Sequence, residues 1–197
     1  MNPDVGKLII VTAPSGAGKT TIVHHLLDHF DQLDFSVSAT TRPKRVHELE
    51  GKDYYFISLE QFQQFIAQDA FVEYQMVYQD QYYGTLRSEL TRIWDRGHHI
   101  VFDIDVRGAI NMKKMFEEQA LAIFIRPPSF EVLKQRLLNR KTETPESIQK
   151  RIQKAENELK FEYLFDYVIV NDDLETACKE AEMVIQRFID RPLKQQF

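Results

Sequence analysis

The stretch VTAPSGAGKTT, residues 11–21, limits the possible folds of this chain more than any other feature. It follows the apolar run Leu8–Val11, which is typical of a buried strand, and precedes the helical pattern Ile22–Phe30. Glycines between a strand and a helix allow backbone N–H groups to point at an anion, which the helix dipole also favours. The sequence therefore predicts a phosphate-binding loop, with a glycine-rich turn that binds nothing as the structural alternative.

The loop departs from the pattern G-x-x-x-x-G-K-[ST] at its first position, where this chain has Ala13. Because Pro14 restricts the preceding residue to extended backbone, which needs no glycine, we expect Ala13 to be tolerated. Lys19 is expected to reach the β- and γ-phosphates, and the Thr20 hydroxyl to bind Mg²⁺. The residues of this loop predicted to bind ATP are Ala13, Pro14, Ser15, Gly16, Ala17, Gly18, Lys19, Thr20 and Thr21.

Further short apolar runs at Ile100–Phe102, Leu121–Ile125 and Val168–Val170 indicate strands buried on both faces, as in a parallel sheet. They alternate with helical patterns, which predicts an α/β layered fold. The run IVFDID ends in Asp103 and Asp105, and an acid at the carboxyl end of a buried strand is suited to holding Mg²⁺ or its waters.

The other parts of the chain have different patterns. Residues of about 35–90 are rich in aromatic, β-favouring pieces around one short helix, and they predict a small mixed α+β insertion with one solvated sheet face. Residues of about 127–158 are dense in charge, and Thr144-Pro145 marks a helix start within them. The remaining core is expected at about 1–34, 91–126 and 159–197.

Composition excludes several classes of protein. With 25 basic and 30 acidic side chains, the net charge of −5 argues against nucleic-acid binding as the main function. The single cysteine, Cys178, excludes an internal disulfide framework and a cysteine-rich metal site, and its pattern predicts a packing residue. The six histidines show no metal-ligand arrangement with cysteine or carboxylate, so we interpret them as helix-surface and loop residues. Without an 18-residue apolar run or a signal-peptide pattern, a cytoplasmic enzyme that does not bind membranes is expected.

Eight motifs occur in one order along the chain: FSVSATTRPKR, GKDYYFIS, FVEY, YYGT, DIDVRGA, PPS, NRKTET and VNDDL. In that order they resemble the guanylate kinase family from the loop to Asp173. The resemblance implies a P-loop kinase fold, with a parallel β-sheet flanked by helices, a small GMP-binding insertion and a mobile helical lid. It also implies the reaction ATP + GMP → ADP + GDP in purine nucleotide metabolism, with dGMP as a second acceptor and Mg²⁺ as the cofactor of ATP.

The resemblance implies roles for individual residues. Arg42, Arg45, Tyr54 and Tyr83 would hold the GMP phosphate, although each tyrosine could instead be a core residue. Ser38, Glu73 and Thr85 would read guanine, because a carboxylate can accept from both N1–H and N2–H. Asp105 would also bind GMP, and Asp103 would bind the metal. Which of the two aspartates serves Mg²⁺ and which serves the base is left open. The predicted catalytic groups are Lys19, Arg136, Arg140 and Arg151, and Asn171 would lie near the adenine of ATP.

Two departures and two alternatives accompany this interpretation. Arg107 stands where the family commonly has glutamine, and Lys141 replaces the usual glycine of the lid turn. A kinase-like module that only binds proteins is disfavoured because Lys19, Thr20 and the lid arginines are present. A kinase acting on a ribose phosphate is disfavoured because it has no use for a guanine reader. The oligomeric state stays open between monomer and homodimer.

Overall fold

The computed structural model describes residues 6–139 and 145–192. They fall into two compact units, one with residue 6 and residues 32–102, the other with residues 7–31 and the described residues from 103 onward. In chain order the helices and strands are β1 (Leu8–Thr12), α1 (Lys19–His29), β2 (Leu33–Phe35), β3 (Ala39–Thr40), β4 (Tyr55–Phe56), α2 (Leu59–Ala67), β5 (Phe71–Tyr78), β6 (Gln81–Leu86), α3 (Arg87–Trp94), β7 (His99–Asp103), α4 (Val106–Phe116), β8 (Ala120–Arg126), α5 (Phe130–Leu138), α6 (Pro145–Leu159), β9 (Tyr167–Val170) and α7 (Leu174–Asp190).

The unit that carries the glycine-rich loop, residues 7–31 and from 103 onward, is built on parallel strands. β8 pairs with β1 from Leu8↔Ala120 to Thr12↔Phe124, and with β9 on its other edge. Every residue of β1 is buried, which explains its apolar run Leu8–Val11, and the hydroxyl of the buried Thr12 donates to the Ile104 carbonyl. Helix α4 packs on β1 and β8, and α1 packs on α7. The predicted α/β class with parallel strands between helices is confirmed.

The other unit, residues 32–102, combines a parallel pair with a mixed sheet. Strands β2 and β7 pair in parallel, while the four-stranded sheet has the order β4-β3-β6-β5 with antiparallel β5 and β6. Helix α2 contributes Phe62, whose ring stacks on that of Phe71 at 4.4 Å between centroids. Along β5 partly buried residues alternate with exposed ones from Glu73 onward, as expected for a sheet with one solvated face. The predicted insertion of about 35–90 falls within this unit.

The charge-dense segment of about 127–158 contains two packed helices. Ser129 caps α5 by accepting a hydrogen bond from the Val132 amide, and α6 begins at Pro145, as predicted. Their contact is apolar and consists of Leu133, Leu137, Ile152 and Ala155. Thr144, Arg140 and Lys141, to which predictions were attached, lie outside the described residues. That the segment is a mobile lid stays a prediction.

Helix α7 is fixed at both ends and along one face. Asp173 caps its start, and its buried face includes Cys178, which is the packing residue that the sequence predicts. At its end, Lys7 Nζ donates to the carbonyls of Phe188 at 2.6 Å and Ile189 at 2.7 Å, and also to that of Arg191. Burial lowers the pKa of Lys7. The ammonium satisfies carbonyls that a helix end leaves without partners. Among the described residues, no helix is long and apolar enough to cross a membrane.

Candidate active site

The glycine-rich loop between β1 and α1 has the backbone that its sequence requires. Gly16 and Gly18 both have φ of 92°, in the left-handed region that favours glycine. A Cβ on Gly18 would lie 2.2 Å from Nδ2 of Asn171, and one on Gly16 would lie 3.2 Å from Cδ2 of Leu137. The Ala17 amide donates to the Pro14 carbonyl at 3.1 Å, which closes the turn. Both glycines are therefore needed for their left-handed backbone, and Gly18 is also needed for space.

Ala13 does not have a left-handed backbone. Positive φ among the described non-glycine residues is confined to Asp69, Asp80 and Glu117. Ala13 is therefore free of the strain that glycine would relieve, and its side chain is buried. This agrees with the expectation that alanine is tolerated before Pro14.

Lys19 and Thr20, the first two residues of α1, meet Asp103 at the end of β7. The Thr20 hydroxyl donates to Oδ2 of Asp103 at 3.3 Å, and Lys19 Nζ contacts Oδ1 of the same carboxylate. Lys19 also donates to the Ile104 carbonyl at 3.3 Å. A hydroxyl and a carboxylate at one point are hard oxygen ligands of the kind that Mg²⁺ prefers, so these residues fit the ion.

Asp105 has a different partner. It caps α4, and its Oδ1 accepts a hydrogen bond from the Gly108 amide at 2.8 Å. Of the two aspartates in the run, Asp103 is therefore the one that contacts Lys19 and Thr20. A contact of Asp105 with GMP stays a prediction.

Two of the predicted arginines reach the loop or its neighbour. Nη1 of Arg151, on α6, donates to the Ser15 hydroxyl at 3.0 Å. The guanidinium of Arg136, on α5, donates to the Asn171 carbonyl at 3.3 Å and 3.4 Å. Arg140 lies outside the described residues. The structure thus brings Arg151 to the phosphate loop and Arg136 to Asn171, which itself contacts the loop.

Asn171 contacts the phosphate loop through a buried hydrogen bond. It follows β9, is 5% exposed, and its Nδ2 donates to the Ala17 carbonyl at 2.7 Å. Sequence reasoning placed Asn171 near adenine and missed this contact. The available signal was a polar residue directly after an apolar strand, where a side chain can reach a neighbouring loop.

Glu158, on α6, is a second residue that sequence reasoning missed. Its side chain is 12% exposed and lies 3.4 Å from Lys154 Nζ. Burial raises the pKa of Glu158, and the negative charge of Asp105 raises it further. The positive charge of Lys154 acts in the opposite direction. The charge of Lys19 also acts on it. A carboxyl with a raised pKa thus belongs to the surroundings of the phosphate loop.

A second cluster, in the unit of residues 32–102, joins three of the residues assigned to the GMP phosphate. Arg42 Nε donates to the Tyr83 hydroxyl at 3.0 Å, and its guanidinium lies 5.3 Å from the ring centre of Tyr54. The rings of Tyr54 and Tyr83 meet edge to face at 5.8 Å. Arg45 is more exposed, with its Nη1 3.8 Å from Glu48. The predicted grouping is present, and its role toward phosphate stays a prediction.

Glu48 completes this cluster, although the sequence analysis did not include it. Its two carboxylate oxygens accept from both terminal nitrogens of Arg42, at 2.7 Å and 3.0 Å. It also accepts from the backbone amide of Arg45 at 2.8 Å. Arg42 holds the pKa of Glu48 below its usual range, although burial opposes the shift. A buried carboxylate therefore orients the arginine.

Two of the three residues assigned to guanine lie on adjacent strands, and Ser38 directly precedes a third strand, β3. Glu73 on β5 pairs with Thr85 on β6, and the Thr85 hydroxyl donates to Oε1 of Glu73 at 3.0 Å. Strand β3 pairs with β6 through Ala39↔Gly84, and one step further along this register Ser38 is opposite Thr85. Ser38 and Thr85 are both buried. The Thr85 hydroxyl thus contacts the Glu73 carboxylate, and the role of these three residues toward guanine stays a prediction.

His25 and His29 lie on the partly exposed surface of α1, as the sequence analysis expects, but its statement that no histidine has a metal-ligand arrangement with a carboxylate is wrong for these two. His25 and His29, on α1, lie with Glu182, on α7, in a group whose ligand atoms are all within 4.8 Å of one another. The available signal was the spacing of four residues, which places two side chains on one face of a helix. Glu182 is so distant in sequence that no local pattern links it to them.

Comparisons with known proteins agree with one family. The sequence model of the family described as guanylate kinase matches residues 5–188. The guanylate kinase of Bacteroides fragilis is 49% identical over 93% of this chain and 90% of its own length. That of Porphyromonas gingivalis is 48% identical over 93% of this chain and 98% of its own. Among solved structures, guanylate kinase from Anaplasma phagocytophilum matches with a TM-score of 0.75 and 29% identity, covering 95% of this chain and 88% of that one. The predicted P-loop kinase fold is confirmed.

Proposed function

The chain belongs to the guanylate kinase family, whose members phosphorylate GMP with ATP, and we propose on that basis how its residues share this reaction. The observation that carries the proposal is the hydrogen bond from Thr85 to Glu73. A carboxylate held by a buried hydroxyl matches the two donors of guanine and does not match adenine. The acceptor is therefore GMP, with dGMP as a second substrate.

The phosphate loop holds ATP. Its backbone N–H groups surround the β- and γ-phosphates, and Lys19 exchanges its contact with Asp103 for contacts with phosphate oxygens. Thr20 and Asp103 would hold Mg²⁺, which when bound neutralises charge on the β- and γ-phosphate oxygens. Asn171 keeps the loop in its conformation through the Ala17 carbonyl.

The cluster around Arg42 holds the GMP phosphate. Arg42 and Arg45 supply charge, while Tyr54 and Tyr83 supply phenolic donors. Glu48 keeps Arg42 extended toward Tyr83, so that little side-chain entropy is lost when the anion binds. Asp105 is retained as a predicted GMP contact in addition to its capping of α4.

The transfer step needs no dedicated base. The second pKa of a phosphate monoester is about 6, so the attacking oxygen is largely ionised at neutral pH. What the protein must supply is positioning and neutralisation of charge on the transferring group. We assign these tasks to Lys19, Arg136 and Arg151, with Arg140 as a predicted member of the set.

The segment of about 127–158 is the lid in this proposal, the part of about 35–90 binds GMP, and the rest is the core. Closing the lid would exclude water and so prevent idle hydrolysis of ATP. The contact of Arg151 with Ser15 supports this assignment of the lid, because the contact links α6 to the phosphate loop. A cytoplasmic location, and a monomer or homodimer without nucleic acid or membrane as partner, stay predictions of the sequence.

The proposal is tested by a coupled assay of ADP release with a panel of acceptors: GMP, dGMP, IMP, AMP and ribose 5-phosphate. We expect the highest kcat/KM with GMP, lower values with dGMP and IMP, and background rates with AMP and the ribose phosphate. Equal rates with AMP would contradict the guanine reader. Turnover of the ribose phosphate would favour the alternative kinase, and absence of turnover with every acceptor would favour the protein-binding module.

A further inference from the structure

Two imidazoles and one carboxylate converge on the contact between α1 and α7, apart from all residues assigned to the kinase reaction. His25 Nε2 lies 2.5 Å from Oε1 of Glu182, and His29 Nδ1 lies 3.8 Å from the same oxygen. The two imidazole rings are stacked, with centroids 6.1 Å apart. His25 and Glu182 are partly buried, whereas His29 is exposed.

We propose that His25, His29 and Glu182 bind a zinc-class divalent ion that links α1 to α7. Zinc takes nitrogen ligands at about 2.0–2.1 Å and carboxylate oxygen at about 2.0–2.2 Å, so its tetrahedral ligands lie about 3.4 Å apart. The observed separations of 2.5 Å and 3.8 Å bracket this value. Bringing these two contacts to that distance requires shifts of about 1 Å or less, and the three ligand atoms all lie within 4.8 Å of one another.

The chemistry of the ligands selects the ion. Two neutral imidazoles and one carboxylate suit zinc, copper or nickel, while magnesium and calcium prefer oxygen alone. The spacing of His25 and His29 is that of helix histidines which bind zinc on one face.

The surroundings leave room for a fourth ligand. A surface cavity beside the group is lined by His25, Cys178 and Glu182, together with residues of the first turns of α7. A water molecule can take the open position. Burial raises the pKa of the Cys178 thiol, with a further contribution from the charge of Glu182, so the thiol is not preformed as a thiolate ligand.

The ion would join helix α1, which begins at the phosphate loop, to helix α7. Helix α1 begins with Lys19 of the phosphate loop, and His25 is about 9 Å further along its axis. Helix α7 packs on α1. A metal bond between them stabilises the folded state without touching a residue assigned to substrate.

The test measures Zn²⁺ binding to the full chain by isothermal titration calorimetry, without nucleotide or added magnesium. We expect one Zn²⁺ per chain at micromolar concentration in the wild type. His25→Ala, His29→Ala and Glu182→Gln should each weaken binding at least tenfold, and Zn²⁺ should raise the Tm of the wild type but not of these variants. Turnover of GMP in the three variants should remain near that of the wild type, which separates this inference from the kinase assignment.

Two matched variants serve as controls. His24→Ala removes the exposed neighbouring imidazole of the same helix, and Cys178→Ser removes the nearby thiol. Both should bind Zn²⁺ within about twofold of the wild type. The proposal is overturned if the wild type binds no Zn²⁺ up to 100-fold excess, or if His24→Ala or Cys178→Ser weakens binding as much as His29→Ala. Glu182→Gln preserves shape, so the test stands even if a histidine variant fails to fold.

Discussion

The side chain of Asn171 occupies the space that a Cβ on Gly18 would need, with its Nδ2 2.2 Å from that position. The same nitrogen donates to the Ala17 carbonyl, so one amide fixes two successive residues of the phosphate loop. The loop therefore depends on a residue more than 150 positions later in the chain. Its conformation is not set by its own glycines alone.

Asn171→Ala tests this dependence. Leaving the Ala17 carbonyl without its buried partner should cost about 1–3 kcal/mol of unfolding free energy and lower ATP affinity roughly tenfold. Because the effect acts through the loop, GTP and ATP should weaken by the same factor, as measured by competition binding. A loss confined to ATP would instead show that Asn171 reads adenine.

Lys19→Ala tests the transfer step. Removing an ammonium that neutralises phosphate charge should lower kcat by on the order of 10²-fold or more, with circular dichroism unchanged. Lys179→Ala, on the exposed side of α7, is the matched control and should keep wild-type kcat. Near-normal turnover in folded Lys19→Ala would remove this residue from the mechanism.

Ala13→Gly and Gly16→Ala form a contrasting pair. Since Ala13 has no positive φ, Ala13→Gly should change ATP affinity less than about threefold and cost up to about 1 kcal/mol of stability through added chain entropy. Gly16→Ala forces a side chain into φ of 92° and toward Leu137, so it should largely abolish ATP binding. Equilibrium dialysis with ATP measures both. A tenfold gain in affinity for Ala13→Gly would show that Ala13 strains the loop.

The pH dependence of stability reports the ion pair of Glu48 with Arg42. Because the pKa of Glu48 is lowered in the folded state, its stabilising contribution is present above the unfolded value of about 4.3 and is lost as pH falls through the folded value. Glu48→Gln should therefore reduce the urea midpoint at pH 7, and the difference from wild type should shrink toward pH 3.5. Glu156→Gln, at an exposed position of α6, is the control. A difference that stays constant with pH would mean that the charge of Glu48 contributes nothing.

Glu73→Gln tests the choice of substrate. The amide places a donor opposite a guanine donor, so GMP binding should weaken by about 2–4 kcal/mol. IMP lacks the N2 amine, and the preference for GMP over IMP should therefore shrink in the variant. kcat/KM is measured for both acceptors with both proteins. An unchanged ratio would show that Glu73 does not read the base.

The sequence predicts the parts of the fold and of the site whose structure depends on residues close to one another in the chain. Strand β1, the loop and α1 follow one another, and the effect of Pro14 on Ala13 is local. The grouping of Arg42 with Tyr83 was available only from family resemblance, since the two are 41 residues apart. Glu48 and Asn171 were missed in their structural roles because a single polar residue has no periodicity. Glu182 lies 157 residues from His25, so only the fold brings them together.

The contact of Lys7 with the end of α7 sets an order of events during synthesis of the protein. Its partners Phe188 and Ile189 are 181 and 182 residues later, so this contact closes nearly the whole described chain. At about 5–20 residues per second, the ribosome needs roughly 9–36 s to make that length after Lys7 emerges. Until then the lysine is an exposed, hydrated cation at the start of β1, and it becomes buried only when α7 has formed. Burial of Lys7 therefore has to wait for α7, whereas the phosphate loop beside Lys7 in sequence is made about 180 residues before that helix ends.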